Sequence, residues 1–546
     1  MQSNLKRFVM KRTLFIALVL LLAACGPQRN EDKMIFRYNE SAGITTLDPA
    51  FAKDQSLIWA CRQLYNGLVQ LDTLLQVQPC IAKSWEISAD GREYRFTLRD
   101  DVWFHKDGLL GTDSTRRVVA EDFVYSLRRL TDPAVASPGA WIVRDVKSFE
   151  APDDTTFVIR LKEPFAPFLS QLGMVYCSVV PKEVVEHWGK DFRSHPCGTG
   201  PFQFQYWKEG VKLVLRKNPL YFERDDDGSP LPYLDAVAVT FIIDKQTAFL
   251  EFMKGKLDFM NSLDASYKDE ILNADGTLKE KYADRIDMVS TPFLNTEYLG
   301  FNMETSRLQD IETSRDGDFK KLRQAVSCGF DRRKMMRYLR NNIGAPGTGG
   351  FIPKGLAGHS ECGYEYDPER ARMLLAEVKK GNGGELPKLK LSTTANYLDL
   401  CKYIQQQVGL LGLEIEVDVN PPAALSEQVA QGKTAWFRKS WVADYPDAEN
   451  YLMLFYSPNR TPAGPNYTMY SNKKVDRLYE RIRKESDADR RVQLCMEMDS
   501  LIMQDAPVIV LYYDQILHFT HHNVTGLRSD AMNTLDLRRV KKNLHD

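Results

Sequence analysis

The chain has 546 residues, and its 72 Lys and Arg are balanced by 73 Asp and Glu for a formal net charge of −1. That balance excludes a broad basic field for nucleic acid. A hydrophobic content of 43% beside 27% charged residues is that of an ordinary globular protein. The length asks for two or three domains rather than one core.

The N-terminus carries Lys6, Arg7, Lys11 and Arg12 ahead of an almost wholly apolar run, Leu14 to Leu22. About 18 to 20 apolar residues are needed to span hydrocarbon, so this run is too short for a transmembrane helix and reads as a secretory signal. It closes on Leu22-Ala23-Ala24-Cys25, which resembles a bacterial lipoprotein signal with Cys25 as the lipidated first residue. A plain signal peptide is the alternative. Residues 1–24 are then signal and 25–33 a polar tether. No second long apolar stretch follows, so membrane contact is expected through the lipid alone. The eight cysteines beyond Cys25 are too widely spaced for a zinc signature, and leave disulfides and free buried thiols both open.

Met34 to Tyr38 predicts a first strand, and Leu57 to Asn66 a helix stopped at Gly67. Trp85 to Leu98 alternates around Asp90-Gly91, the pattern of a hairpin. Ala120 to Leu130 has helical spacing, and Thr156 to Leu161 reads as a strand. Beyond Gly198-Thr199-Gly200-Pro201, Phe202 to Trp207 is expected to pair with Val211 to Arg216. The strand Val237 to Ile243 and the helix Thr247 to Lys254 follow. After Asn302 helices are expected at Lys320–Gly329, Arg332–Asn341, Pro368–Lys380, Leu398–Gly409, Asn472–Glu485 and Arg490–Gln504. Strands at Leu389–Ser392, Glu414–Val419, Ala435–Trp441 and Val508–Tyr513 lie among them. Strands alternating with helices at this spacing predict an α/β architecture with helix-covered sheets.

Several blocks in order carry a resemblance. They include Thr46-Leu47-Asp48-Pro49-Ala50, Leu64-Tyr65-Asn66-Gly67-Leu68, Ile81-Ala82-Lys83-Ser84-Trp85-Glu86 and Tyr94-Arg95-Phe96-Thr97-Leu98-Arg99. Gly198-Thr199-Gly200-Pro201-Phe202, Asn218-Pro219-Leu220-Tyr221, Tyr366-Asp367-Pro368-Glu369 and Asp505-Ala506-Pro507-Val508 continue the series. Together they resemble the peptide-binding members of the extracellular solute-binding protein family 5, the receptors of ABC importers. The resemblance implies a type II periplasmic-binding-protein-like, three-domain, two-lobed receptor. Domain I would be discontinuous (34–66, 186–296 and 515–546), with domain II at 67–185 and domain III at 297–514. The ligand would lie between domains I and III and be buried by a hinge motion, with domain II contributing little. A short peptide and an ABC permease with its ATPase would be the partners of a monomeric, exported, membrane-anchored lipoprotein without a cofactor.

Trp436 to Asn450 is the candidate site: a strand rich in aromatics running into a Pro-containing turn with three acids. An extended peptide can add to such a strand edge through main-chain hydrogen bonds, whatever its side chains. The resemblance implies that Asp444 holds the ligand α-ammonium while Ser440, Trp441 and Val442 present the pairing backbone. Read from the residues alone, Asp444 caps the turn at Tyr445-Pro446, and Asp447 and Glu449 are helix-start acids. The loop Phe51 to Ser56, with Gln55, and the segment Asn295 to Asn302, with Tyr298, would line the cleft. Tyr298 equally fits a core residue under the sheet. Where many such receptors carry a tryptophan after the strand matching Glu414–Val419, this chain has Asn420-Pro421-Pro422-Ala423, which points to a different side-chain pocket.

No catalytic pattern is present in the sequence. Gly432-Lys433-Thr434 lacks the glycine a phosphate loop needs, since position 427 is Glu427. The calcium-like Asp225-Asp226-Asp227-Gly228 has Leu234 where a bidentate Glu belongs. His518, His521 and His522 suggest either metal ligation or, more simply, a strand edge near the C-terminus. The competing readings are the same fold with an oligosaccharide or a nickel chelate as ligand, an exported hydrolase, or a scaffold.

Overall fold

The computed structural model describes residues 33–263, 267–304 and 316–543. The expected signal, Cys25 and the expected tether up to residue 32 lie outside the described residues. Helix starts are written in the sequence as capping side chains. Asp244, Asp331, Asp367 and Asp487 each accept the backbone N–H three residues on, at 2.8–3.0 Å, and Asn472 accepts that of Lys474 at 2.9 Å. The helices they open are Lys245–Met253, Arg332–Arg340, Pro368–Gly381, Ala488–Asp505 and Lys473–Lys484. The predicted hairpin is present as Ala82–Ile87 with Glu93–Leu98, turning through Gly91 at φ +66°.

One 11-stranded mixed sheet runs through most of the molecule. Across it lie Ile415–Val419, Leu389–Thr393, Trp436–Val442, Ile286–Phe301, Val508–His521, Phe259–Asn261, Ile35–Asn39, Ala236–Thr240, Lys212–Lys217 and Phe202–Lys208, with the short Ala345–Pro346 pairing onto Val508–His521 as the eleventh. A separate four-stranded antiparallel sheet is built from Ala82–Ile87, Glu93–Leu98, Thr156–Leu161 and Val146–Asp153.

The surprise lies in two long antiparallel strands. Ile286–Phe301 has 16 residues and Val508–His521 has 14, and they pair from Ile286 with His521 to Gly300 with Val508. Only Val508–Tyr513 was expected of the second. Their ladder is broken between Pro292 and Thr296, where Pro292 faces Gln515 and Thr296 faces Tyr513. Proline has no N–H to donate to the ladder. Beyond the break, Leu294 to Phe301 is buried throughout. Tyr298 then packs in one apolar cluster and Leu299 in another, on opposite faces of the same strand.

The conspicuous Gly198-Thr199-Gly200-Pro201 has a packing reason. A Cβ on Gly198 would sit 2.1 Å from the Leu64 carbonyl oxygen, and one on Gly200 2.4 Å from the Leu64 carbonyl carbon. The loop lies flat on the end of the helix Gln55–Leu64, and the Gly200 N–H donates to Leu64 O at 2.9 Å. His105 clamps it from the other side. Its Nδ1 accepts the Gly198 N–H at 3.2 Å, so Nε2 carries the proton and donates to Gly200 O at 3.0 Å. Burial holds this ring neutral and pulls its pKa from 6.5 down to about 4.

The folded state therefore binds fewer protons at His105 than the unfolded chain. The resulting stability is full above pH 6.5 and is lost as pH falls toward 4, on the order of 3 kcal/mol for a shift this size. His105→Gln, which keeps a donor and an acceptor but takes up no proton, is expected to lose less stability than wild type over that range in denaturant melts. Equal slopes would remove His105 from the acid response.

One expectation is corrected here, and one open alternative is resolved. His518 does not lie on an edge: its strand pairs on both sides, with Asn261 and with Val289, and its Nε2 meets Asn533 Oδ1 at 3.0 Å. His521 instead meets the Phe252 carbonyl, and His522 is exposed. Among the described residues no His, Cys, Asp and Glu grouping could hold a metal ion. The cysteine alternatives resolve toward free thiols: all eight from Cys61 to Cys495 are unpaired, and all but Cys362 are buried.

Candidate functional site

The strand Trp436–Val442 pairs along one edge with the long strand, from Phe301–Trp436 to Asn295–Val442. Its other edge meets a strand only at Phe437, opposite Ser392. Arg438 to Val442 thus has one edge with no strand beside it. Arg438 anchors this stretch by pairing with Glu297, whose side chain is only 2% exposed. The strand ends where the Ala443 N–H donates to Leu294 O at 2.9 Å, and Asp444 opens the turn.

Asn450, fully buried at the start of the next helical turn, fixes that corner. Its Oδ1 accepts both the Asp444 N–H and the Trp441 Nε1–H at 3.1 Å, while its Nδ2 donates to Asp444 Oδ2 at 3.2 Å. Asp444 makes no ion pair among the described residues. Crowding by the surrounding walls raises its carboxyl above the ordinary range, and the Asn450 bond only partly offsets this. The rival acids are occupied: Asp447 holds Arg491 in a two-pronged pair at 2.5 and 2.8 Å and accepts the Glu449 N–H at 2.8 Å. Glu449 is buried and accepts the hydroxyls of Tyr445 and Tyr479. Of the three acids only Asp444 is free to meet a ligand.

Asp444 opens onto a cavity of about 390 Å³, within the size range of small-molecule sites. Val442 and Ala443 form one wall with it. Lys53, Asp54 and Gln55 of the predicted loop face it, and Gln55 is held by a 2.8 Å bond from its Nε2 to Asn533 O. Ile58, Phe293 and Met532 supply apolar surface. The structure thus brings Asp444, Val442 and Gln55 to one cavity, while the Ser440 and Trp441 side chains do not line it. Tyr298 is corrected: it is 1% exposed, packed edge-on against Phe351 at 5.1 Å, and belongs to the core.

The segment 67–185 is also corrected, because it supplies a whole wall through Trp141, Met174, Val175 and Tyr176. Burial, then the nearby Asp444 and Asp54 carboxylates, push the Tyr176 hydroxyl up to about 12. The Trp141 ring comes within 6.1 Å of Tyr445 on the opposite side. No sequence pattern marked Asn450 or Tyr176, since both matter only through contacts made across the fold.

The profile of the bacterial extracellular solute-binding proteins, family 5, matches residues 76–463. The chain belongs to this family. Among curated family 5 relatives, the glutathione-binding protein GsiB of Shigella flexneri is 26% identical over 491 residues, covering 89% of this chain and 90% of its own length. HbpA2 from Haemophilus parasuis superposes with a TM-score of 0.79 at 22% identity, over 93% of this chain and 100% of its own. DppA from Helicobacter pylori, solved with the peptide STSA, gives 0.74 at 23% identity, over 93% and 98%. The fold is accordingly that of the type II periplasmic binding proteins. A family 5 chain is an exported solute-binding component of an ABC importer and not an enzyme.

Proposed function

We propose that this receptor captures short peptides in the Asp444 cavity and delivers them to its ABC permease and ATPase, tethered by a lipid on Cys25. The observation that carries the reading is a carboxylate without a cation partner, set at the end of a strand whose outer edge is free. A peptide N-terminus offers an ammonium for Asp444, and its backbone offers bonds to the edge at Ser440, Trp441 and Val442 that ignore side-chain identity. The relative named for glutathione and the neighbour solved with a peptide support a ligand of this class. We assign domain I to 34–66, 186–296 and 515–546, domain II to 67–185 and domain III to 297–514, in a monomer that closes about the two long strands.

Mass spectrometry of small molecules released by denaturing the purified protein tests the reading. A ladder of short peptides is expected. A single glycan or metal complex would overturn it.

A further inference from the structure

Each long strand runs from proposed domain I into proposed domain III, so those two parts share the 11-stranded sheet. Among the described residues no strand of 67–185 pairs with a strand of 297–514. What holds 67–185 to 297–514 is therefore loop and side-chain contact, which can part without breaking a sheet.

That seam centres on Arg483, in the last turn of the helix Lys473–Lys484. A helix supplies no N–H to its last carbonyls, and the Arg483 carbonyl accepts the Ala166 N–H at 2.8 Å instead. Its guanidinium donates to Asp145 Oδ2 at 3.2 Å and lies 5.0 Å from the centre of the Phe165 ring. Lys484 approaches Glu163 at 3.8 Å. Elsewhere along the seam Trp141 meets Tyr445, and Leu75 packs against the apolar cluster that includes Ala443 and Tyr451. Leu75 sits in the turn between Val69–Leu71 and Val77–Pro79. The individual contacts are weak. Arg483 and Asp145 are 35% and 47% exposed, and ion pairs that wet contribute little, while a guanidinium over a ring adds a modest attraction. Several weak contacts on two rigid bodies suit a seam that must be made and broken repeatedly. The seam also touches the binding corner. The charge of buried Glu449, which accepts the Tyr445 hydroxyl beside Asp444, acts on Arg483 as well.

We propose that Arg483, with Asp145, Phe165 and Ala166, is a latch that holds the two lobes shut. The closed form is then populated before any ligand arrives, and 67–185 helps to set how long a ligand is retained. The latch rests on the domain assignment and hinge closure given above, and not on the nature of the ligand.

Pulsed electron-spin distance measurement tests this on the full chain after urea unfolding and refolding, which strips co-purified small molecules. Spin labels go on Glu121→Cys and Lys473→Cys, both exposed, with Cys362→Ser removing the one native thiol that is not buried. With the seam unaltered, the shorter of two distances is expected to dominate. Arg483→Ala should cut the ratio of short to long at least about fivefold, from the ion pair and the ring contact together. Asp145→Ala combined with Phe165→Leu attacks the seam from the other lobe and should do the same. The comparison therefore stands even if melting curves show that one variant misfolds. Two populations whose ratio ignores the folded variants would overturn the latch and leave the hinge intact. One distance common to every sample would overturn both.

Discussion

Asp444→Ala is expected to weaken capture of a short peptide by about 30-fold or more, at roughly tenfold per 1.4 kcal/mol. The reason is geometric. Asp444 is held from two directions by Asn450, so its carboxylate meets the ligand without first being ordered. Its carboxylate faces the open cavity and makes no ion pair among the described residues, so a bound ammonium meets an uncommitted partner. The raised carboxyl also fixes a sign for pH: affinity should fall on acidification, beginning closer to neutrality than for an ordinary aspartate, because the protonated form cannot pair with an ammonium. Asp444→Asn should lose affinity and that pH response together, while melting no earlier than wild type. Calorimetry showing unchanged affinity in either folded variant would remove Asp444 from the site.

The largest effect on stability is expected at Asp48. Arg129 grips its carboxylate with two bonds, at 3.0 and 2.5 Å, and the two side chains are 5% and 9% exposed. Asp48 Oδ1 also accepts the Ala50 N–H at 3.0 Å, opening the 3-10 turn Pro49–Phe51. Asp48→Ala strands a buried guanidinium, which typically costs about 3–5 kcal/mol. Adding Arg129→Met to that variant should recover a substantial part, since the remaining charge is what costs most. Urea unfolding of the single and double variants decides this, and a single-variant loss below about 1 kcal/mol would refute it. The loop to Gln55 follows this turn directly, so Asp48→Ala should weaken ligand binding as well.

How far the sequence could be read followed how locally each feature is determined. The helix start at Asp367 was legible because a cap acts within three residues, whereas the helix read as starting at Arg490 opens at Ala488, capped by Asp487. The Asp90-Gly91 hairpin was legible for the same reason. The long strand Ile286–Phe301 was not. Pro292 breaks its pattern, and from Leu294 onward both faces are covered, so alternation carries no information about which side is inside. That is also why Tyr298 gave no sign of its place: a central strand between two apolar clusters has no solvent face to offer a ligand. At the site, the aromatic strand and its acidic turn were visible in the sequence. Which of the three acids stays free depends on Arg491, Tyr445 and Tyr479, and only the fold brings those partners to them.

The interruption at Pro292 has a mechanical meaning. From there to Phe301 the strand is a stiff arm of about 30 Å at the usual rise per residue. A bend of one degree at its root therefore carries the tip by about half an ångström. The arm is clamped along its far half by neighbours on both sides and is least restrained where the ladder has its gap. In the closure proposed above, a small change in sheet twist at this poorly bonded point would be geared up into a larger displacement of the apolar cluster that holds the far end of the arm.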